Sequence, residues 1–160
     1  GLKELVNRSR DILKNARYYE ERRIITEFMR HLGEDDGNAT YGEQEILQAL
    51  KSQNVQTLII SEEVRRTIFR LKCKACGAVE YKIIDNSELV EFEAKLSELK
   101  CSKCGGDIEV LEKTDLIEYL VEQAAKSKTP FELVTSHTEE GEMLSRAFGG
   151  IAAITNYRQF

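Results

Sequence analysis

Cys73-Lys74-Ala75-Cys76-Gly77 and its counterpart Cys101-Ser102-Lys103-Cys104-Gly105 hold all four cysteines of the chain. Two CxxC pairs, each followed at once by glycine, supply four thiolates at a spacing suited to a tetrahedral metal. The glycine after each second cysteine lets the backbone turn so that its amides can face the sulfurs. An all-sulfur donor set points to zinc, with iron as the minority alternative. Two disulfides are another use of four cysteines, but nothing here marks a secreted chain, and paired CxxCG knuckles are rare in disulfide frameworks. A thioredoxin-type redox site needs one such pair, not two matched ones. The expected ligands of a structural zinc are therefore Cys73, Cys76, Cys101 and Cys104.

The flanks of the knuckles read as strands. Thr67-Ile68-Phe69-Arg70-Leu71 leads into the first knuckle, and Ala78-Val79-Glu80-Tyr81-Lys82-Ile83 alternates as a hairpin partner should. Residues 85–100 are acidic, an irregular or short helical excursion, and Asp107-Ile108-Glu109-Val110-Leu111 is a further strand. Knuckle, strand, knuckle, strand is the arrangement of a zinc ribbon. Residues 67–111 are thus expected to form an inserted zinc-ribbon minidomain whose small core depends on the metal for its folding free energy.

Outside the insertion, residues 1–66 and 112–160 alternate helix and strand. Residues 2–32 carry two apolar sets at helical spacing: Leu5, Val6, Ile12, Leu13 and Ala16, then Ile24, Ile25, Phe28, Met29 and Leu32. Both sets read as a core stripe, ending at Gly33 and the polar loop Glu34-Asp35-Asp36-Gly37-Asn38. Thr40-Tyr41-Gly42-Glu43 has capping-box spacing and predicts a helix to about Ser52 that buries Ile46, Leu47 and Leu50. Val55–Ser61 is a buried strand with a continuous apolar centre, suited to a sheet covered on both faces. Asp115 caps a helix with Leu116, Ile117, Leu120, Val121, Ala124 and Ala125 on its buried side. Pro130 marks the turn before the strand Phe131–Thr135. Thr138 opens a helix with Met143, Leu144 and Ala147, ended by Gly149 as C′ residue. Gly150–Thr155 is the last strand, apolar on both sides and hence central. The expected fold class is α/β, with a parallel or mixed sheet between helical layers.

Composition excludes several classes of function. The net charge of -5 argues against a dedicated nucleic-acid binder. The first 32 residues hold eight Lys/Arg against five Asp/Glu, a local +3, so the other 128 carry -8. No run approaches the ~20 apolar residues of a membrane span. Gly1 in place of an initiator Met reads as a piece of a longer chain, no secretory leader is visible, and reduced metal-bound thiols predict a cytoplasmic location. His31 and His137, the only histidines, are expected at the surface. Gly149-Gly150 follows a helix and precedes a strand, the reverse of a phosphate-binding loop. Four cysteines close a metal site that an enzyme would leave open, so no catalytic residue is assigned and no enzyme is expected.

The closing stretch Ala147-Phe148-Gly149-Gly150-Ile151-Ala152-Ala153-Ile154-Thr155-Asn156-Tyr157-Arg158 carries a resemblance. Together with Gly1–Leu5, Thr40-Tyr41-Gly42 through Ala49-Leu50, Thr57–Ser61 and Thr138–Gly141, it resembles the C-terminal domain of archaeal and eukaryotic class I peptide chain release factors. The ribosome-rescue protein Pelota shares this domain type, and the four cysteines are like those of archaeal members. The Gly-Gly-Gln hydrolysis motif and the Asn-Ile-Lys-Ser codon reader of that family are absent from this chain. The resemblance implies a three-layer α/β/α sandwich related to kink-turn RNA-binding ribosomal proteins. It also implies docking of a translational GTPase of the alpha-type elongation factor kind and of the ABC-type recycling ATPase, with the ribosome met through the full-length factor. By the same resemblance the docking residues are Arg22, Ile25, Met29, Leu32, Tyr41, Ile154 and Tyr157. Residues Ile25, Met29 and Leu32 also fit the core stripe. The alternative function is a kink-turn-type RNA-binding or Pelota-like ribosome-rescue domain.

Overall fold

A computed structural model of the chain describes residues 1–34 and 36–159. Asp35, in the loop expected after the first helix, lies outside the described residues. Among the described residues are five α-helices and seven strands, a mixed α/β fold. It divides into two compact units, Gly1–Glu63 with Ala124–Phe160, and Val64–Gln123. The second unit is thus one continuous stretch set between two segments of the first.

The first unit holds a four-stranded mixed sheet in the order β1-β7-β2-β6, from β1 (Ala39–Tyr41), β2 (Thr57–Ser61), β6 (Phe131–Val134) and β7 (Ile151–Ile154). β2 runs parallel to β6 and antiparallel to β7, and β1 pairs antiparallel with β7. The two strands with unbroken apolar runs are therefore the interior ones, as the last strand's pattern predicts. Side chains of a strand alternate between faces. Ile59, Ala152 and Ile154 join one cluster with Ile24, Ile25 and Phe28 of α1 (Leu2–Gly33), Val134, and Leu144 of α5 (Glu139–Ala147). Leu58, Ile60, Ile151 and Ala153 point the other way and are equally buried, so both faces of the two interior strands are covered, whereas Phe131 and Leu133 of the edge strand β6 are exposed on that second face.

Three expectations change here. Thr40 is not a helix cap. It pairs with Ala153 inside β1, and α2 (Glu43–Lys51) starts after Gly42, whose φ of +98° turns the chain out of the strand. A strand end followed by glycine had imitated the capping spacing. α2 buries Ile46 and Ala49, whereas Leu47 and Leu50 are only half-buried. The third change is in α1: Leu5, Val6, Ile12, Leu13 and Ala16 are exposed, and the core face begins only at Glu21.

The C-terminal segments follow the expected order of elements, but Ala125, expected on a buried side, and Ala147 are exposed. Thr138 caps α5, its hydroxyl accepting from the Gly141 amide at 3.0 Å. Gly149 follows the helix with φ +70°, and the Gly150 amide returns to the Leu144 carbonyl at 3.0 Å. Asn54, fully buried, clamps the chain beyond β7: its side-chain oxygen accepts from the amides of Asn156 and Tyr157, and its nitrogen donates to the Tyr157 carbonyl.

The second unit is a three-stranded antiparallel sheet in the order β4-β3-β5, from β3 (Arg66–Cys73), β4 (Val79–Asp85) and β5 (Ile108–Asp115). β3 is central and buries Ile68, Phe69, Leu71 and Cys73. The acidic stretch between β4 and the second knuckle is the short helix α3 (Leu89–Ala94) between two 3-10 turns. Its Phe92 ring packs on Phe69 at 4.9 Å between centroids. β5 continues past the expected Leu111 to Asp115, whose carboxylate accepts from the Glu118 amide at the start of α4 (Leu116–Lys126).

Candidate functional site

The first knuckle closes β3 and the second precedes β5, so pairing of these strands brings the two together. Each knuckle is a turn of the same kind. The Gly77 amide donates to the Cys73 carbonyl at 3.0 Å, and the Gly105 amide to the Cys101 carbonyl at 2.9 Å. Both glycines have φ +75°, which a residue with a Cβ adopts only with strain. Amides of Ala75 and Cys76 point at the Cys73 sulfur, and that of Lys103 at the Cys101 sulfur, each at 3.4 Å. Such N–H···S contacts stabilise a negative sulfur.

The four Sγ atoms lie within 4.8 Å of one another. Cys73 and Cys104 are 3.4 Å apart and Cys76 and Cys101 3.8 Å, all four free of disulfide bonds. Ligands ~2.3 Å from a tetrahedral zinc stand about 3.8 Å from each other, so the donor set fits that metal. Gly106 completes the cradle: a Cβ there would lie 2.9 Å from the Cys73 sulfur and 2.8 Å from the Ala75 Cβ. Sequence reading passed over Gly106, although the doubled glycine after Cys104 was a visible signal. Without a metal the thiols share protons unequally. The Cys76 amide, chiefly, holds Cys73 down to about 6. At Cys104 the Gly106 amide pulls down, but the neighbouring thiols of Cys73 and Cys76 outweigh it and push the group up to about 12. Cys73 and Cys101 are buried; Cys76 and Cys104 are exposed.

The seven residues expected to dock a partner separate. Ile25 is 0% exposed and Ile154 2% exposed, both within the core cluster. These two are core residues, not part of an outward face: Ile154 sits on an interior strand and Ile25 on the helix side turned to the sheet. Met29 is 36% exposed, and Leu32 packs at the cluster's margin. Tyr41, also exposed, stacks edge-on against Phe148 at 4.9 Å, and Phe148 in turn against Phe28 at 5.4 Å. Leu32, Ala39, Tyr41 and Glu45 line a surface depression there. Phe148 belongs to the closing motif Ala147–Arg158, and its half-buried ring couples this patch to the core. Arg22 is exposed and lies 3.7 Å from the Glu140 carboxylate. Tyr157, 55% exposed, lies beyond the opposite end of the β1–β7 pairing from Tyr41, since Ala39 pairs with Ile154 and Tyr41 with Ala152.

His137 is exposed, its ring 5.9 Å from that of Tyr18. His31 is half-buried, its Nδ1 3.1 Å from the Asp36 carboxylate, and Glu34 completes a loose triad. The Asp36 carboxyl is held below its ordinary value chiefly by the Asn38 amide, which gives the group a structural task at the end of α1.

The chain thus combines a mixed α/β unit with an inserted three-stranded β-module that brings four thiols together. The family model for eRF1 domain 3 matches residues 18–159, and the chain belongs to that family. It is 39% identical over 159 residues to peptide chain release factor subunit 1 of Methanocaldococcus jannaschii, and 38% over 158 residues to that of Pyrococcus abyssi. Each alignment takes in 99% of this chain and 38% of the relative, so the chain spans well under half the length of these proteins. The C-terminal domain of the Methanosarcina mazei peptide chain release factor superposes with a TM-score of 0.79 at 30% identity, over 99% of this chain and 94% of that one. Archaeoglobus fulgidus Pelota shares the fold at 16% identity, with a TM-score of 0.57 over 98% of this chain and 36% of Pelota. Yeast Dom34, described as a translation termination-like factor interacting with Hbs1, does so at 18% identity and 0.56, over 98% of this chain and 32% of that one. Among the described residues no helix is long and apolar enough to cross a membrane.

Proposed function

We propose that this chain is the protein-docking domain of a cytoplasmic release factor, gripping a translational GTPase of the alpha-type elongation factor kind and the ABC-type recycling ATPase. It performs no catalysis of its own. The observation that carries this reading is the apolar margin formed by Met29, Leu32 and Tyr41 over Phe148, in a domain of the eRF1 domain 3 family. An exposed methionine beside an aromatic ring is adaptable contact surface, and aromatic residues anchor interfaces. Dom34, which shares the fold, is described as interacting with Hbs1, in keeping with a docking role. The sheet, its interior strands buried on both faces, is read as the centre of a three-layer α/β/α sandwich, and the second unit as a zinc ribbon.

Zinc held by Cys73, Cys76, Cys101 and Cys104 serves structure. A bound zinc supplies folding free energy by cross-linking the two knuckles, and four thiolates leave no position for a substrate. The amides of Ala75, Cys76 and Lys103 steady the charged sulfurs, while Gly106 leaves room for them.

The experiment is a calorimetric titration of the full-length factor with the GTPase, comparing wild type with Met29→Glu. The expected result is at least tenfold weaker binding with an unchanged melting temperature. Unchanged affinity removes Met29 from the interface and the reading with it.

A further inference from the structure

α2 and α4 end on the same short pattern, Lys51-Ser52-Gln53-Asn54 and Lys126-Ser127-Lys128-Thr129. Both helices also wind down alike. The Gln53 amide donates to the Leu50 carbonyl at 3.2 Å, and the Asn54 amide to the Ala49 carbonyl at 2.8 Å. After α4 the Lys128 amide donates to the Ala125 carbonyl at 3.2 Å, and the Thr129 amide to the Ala124 carbonyl at 2.8 Å. This pair of bonds requires a left-handed residue just past the helix, and glycine adopts that conformation freely. Here Gln53 stands at φ +56° and Lys128 at φ +54°, and no other non-glycine residue among those described has a positive φ. A side chain is thus kept twice where its loss would relieve strain, which marks both positions as held for something other than the fold.

The two residues meet at one cavity. β2 and β6, which follow the two turns, are neighbouring parallel strands, so the turns lie side by side. Between them opens a cavity of about 380 Å³, lined wholly by the first unit and of ordinary size for a ligand site. Lys128 is the charged residue in its lining, the carboxamides of Gln53, Gln56 and Asn156 add donors and acceptors, and Val55 and Pro130 supply apolar wall. Among the described residues these four polar side chains make no internal hydrogen bond or ion pair. No carboxylate lines the cavity: Glu122 and Glu132, the acids nearest the Lys128 turn in sequence, are not among its walls.

That inventory selects a ligand class. A divalent cation needs carboxylates, and a bare anion leaves three carboxamide acceptors unused. A flat heterocycle with a mixed donor and acceptor edge, joined to one anionic group, uses every wall. Carboxamides match base edges, and lysine takes a phosphate as a point charge. We infer that this cavity binds a nucleotide, free or at the end of a single RNA strand, with Lys128 on the phosphate and Gln53, Gln56 and Asn156 on the base. It lies at the Ile154 end of the sheet, opposite the Ala152 end where Tyr41 stands, and so is separate from the docking margin.

Backbone-amide NMR of this 160-residue chain tests it, with titrations of the four nucleoside monophosphates, a single-stranded RNA hexamer and inorganic phosphate. The nucleotides are expected to shift the amides of Gln53, Gln56, Lys128 and Asn156, and phosphate to bind roughly tenfold more weakly or worse. Monophosphates that bind as tightly as the hexamer assign the site to free nucleotide; a hexamer roughly tenfold tighter assigns it to a strand end. Gln53→Gly with Lys128→Gly should weaken binding roughly tenfold or more, while the melting temperature holds or rises because glycine relieves both turns. A lower melting temperature with unchanged binding would give the two side chains a purely structural role and overturn the inference. So would phosphate binding as tightly as nucleotide, or no shift at these amides with ~5 mM nucleotide.

Discussion

The backbone amide of Thr135 donates to the carboxylate of Glu21 at 2.6 Å, joining the end of β6 to α1 across 114 residues of sequence. The other carboxylate oxygen accepts from the Thr135 hydroxyl at 3.1 Å and from the hydroxyl of Thr138. Glu21 is 2% exposed, so this charge is held by donors and not by water. Thr138 also caps α5, and one carboxylate therefore ties α1, β6 and α5 together.

Removing that carboxylate strands donors in the interior. Glu21→Ala is expected to cost about 3 kcal/mol in urea unfolding, because charge-assisted bonds are lost and buried donors go unpaired. Glu21→Gln, which keeps an acceptor, should cost roughly half of that. A loss below ~0.5 kcal/mol for the alanine variant would show that water replaces the carboxylate.

Gly141, in the first turn of α5, faces the same knot. A Cβ there would lie 1.9 Å from the Thr135 carbonyl oxygen and 2.9 Å from the Glu21 carboxylate. Alanine for glycine inside a helix ordinarily gains up to ~1 kcal/mol. Here Gly141→Ala should instead destabilise by about 2 kcal/mol or more, since the obstructing atom is backbone. Thermal unfolding gives the sign.

Ile25 and Met29, one turn apart on α1, should respond oppositely to the same substitution. Ile25 is fully buried beside Ile59 and Ala152, and a glutamate there should unfold the first unit or cost more than about 3 kcal/mol. Met29→Glu should change stability by less than ~1 kcal/mol, its side chain being able to reach water. Circular dichroism of both variants distinguishes the buried position from the exposed one.

Removal of the proposed zinc should act on one unit. A chelator strong enough to strip zinc should collapse the strands around Phe69 and Phe92 in residues 64–123 and expose their amides to exchange, while Ile59 and Ala152 stay protected. Fresh anaerobic protein should contain about one zinc per chain, and Cys73→Ser should lower that content. A metal content near zero would dismiss the ion.

Elements fixed by local chemistry were legible in the sequence. Four cysteines in two matched knuckles have few uses, and the structure brings all four sulfurs together. The run Ile151–Ile154 names itself as an interior strand because only cover on both faces tolerates it. Features set by tertiary partners were not legible. Thr40-Tyr41-Gly42 became strand and turn because Ala153 and Ala152 supply a ladder no local signal announces. Leu5 and Ile12 look like core in a helical plot, and their exposure follows only from where the body of the domain ends along α1. Glu21 reads as one more solvated acid until Thr135 and Thr138 arrive from the far end of the chain. The docking residues taken from resemblance mixed both kinds, Met29 and Tyr41 at the surface, Ile25 and Ile154 in the core.

The docking claim is read most directly by the amide-exchange footprint of the GTPase on the full-length factor. Protection is expected at residues 29–32 and 39–42, around Met29, Leu32 and Tyr41, and not at Val90 or Val110 of the second unit. A footprint confined to residues 64–123, or none on this domain, would contradict the account.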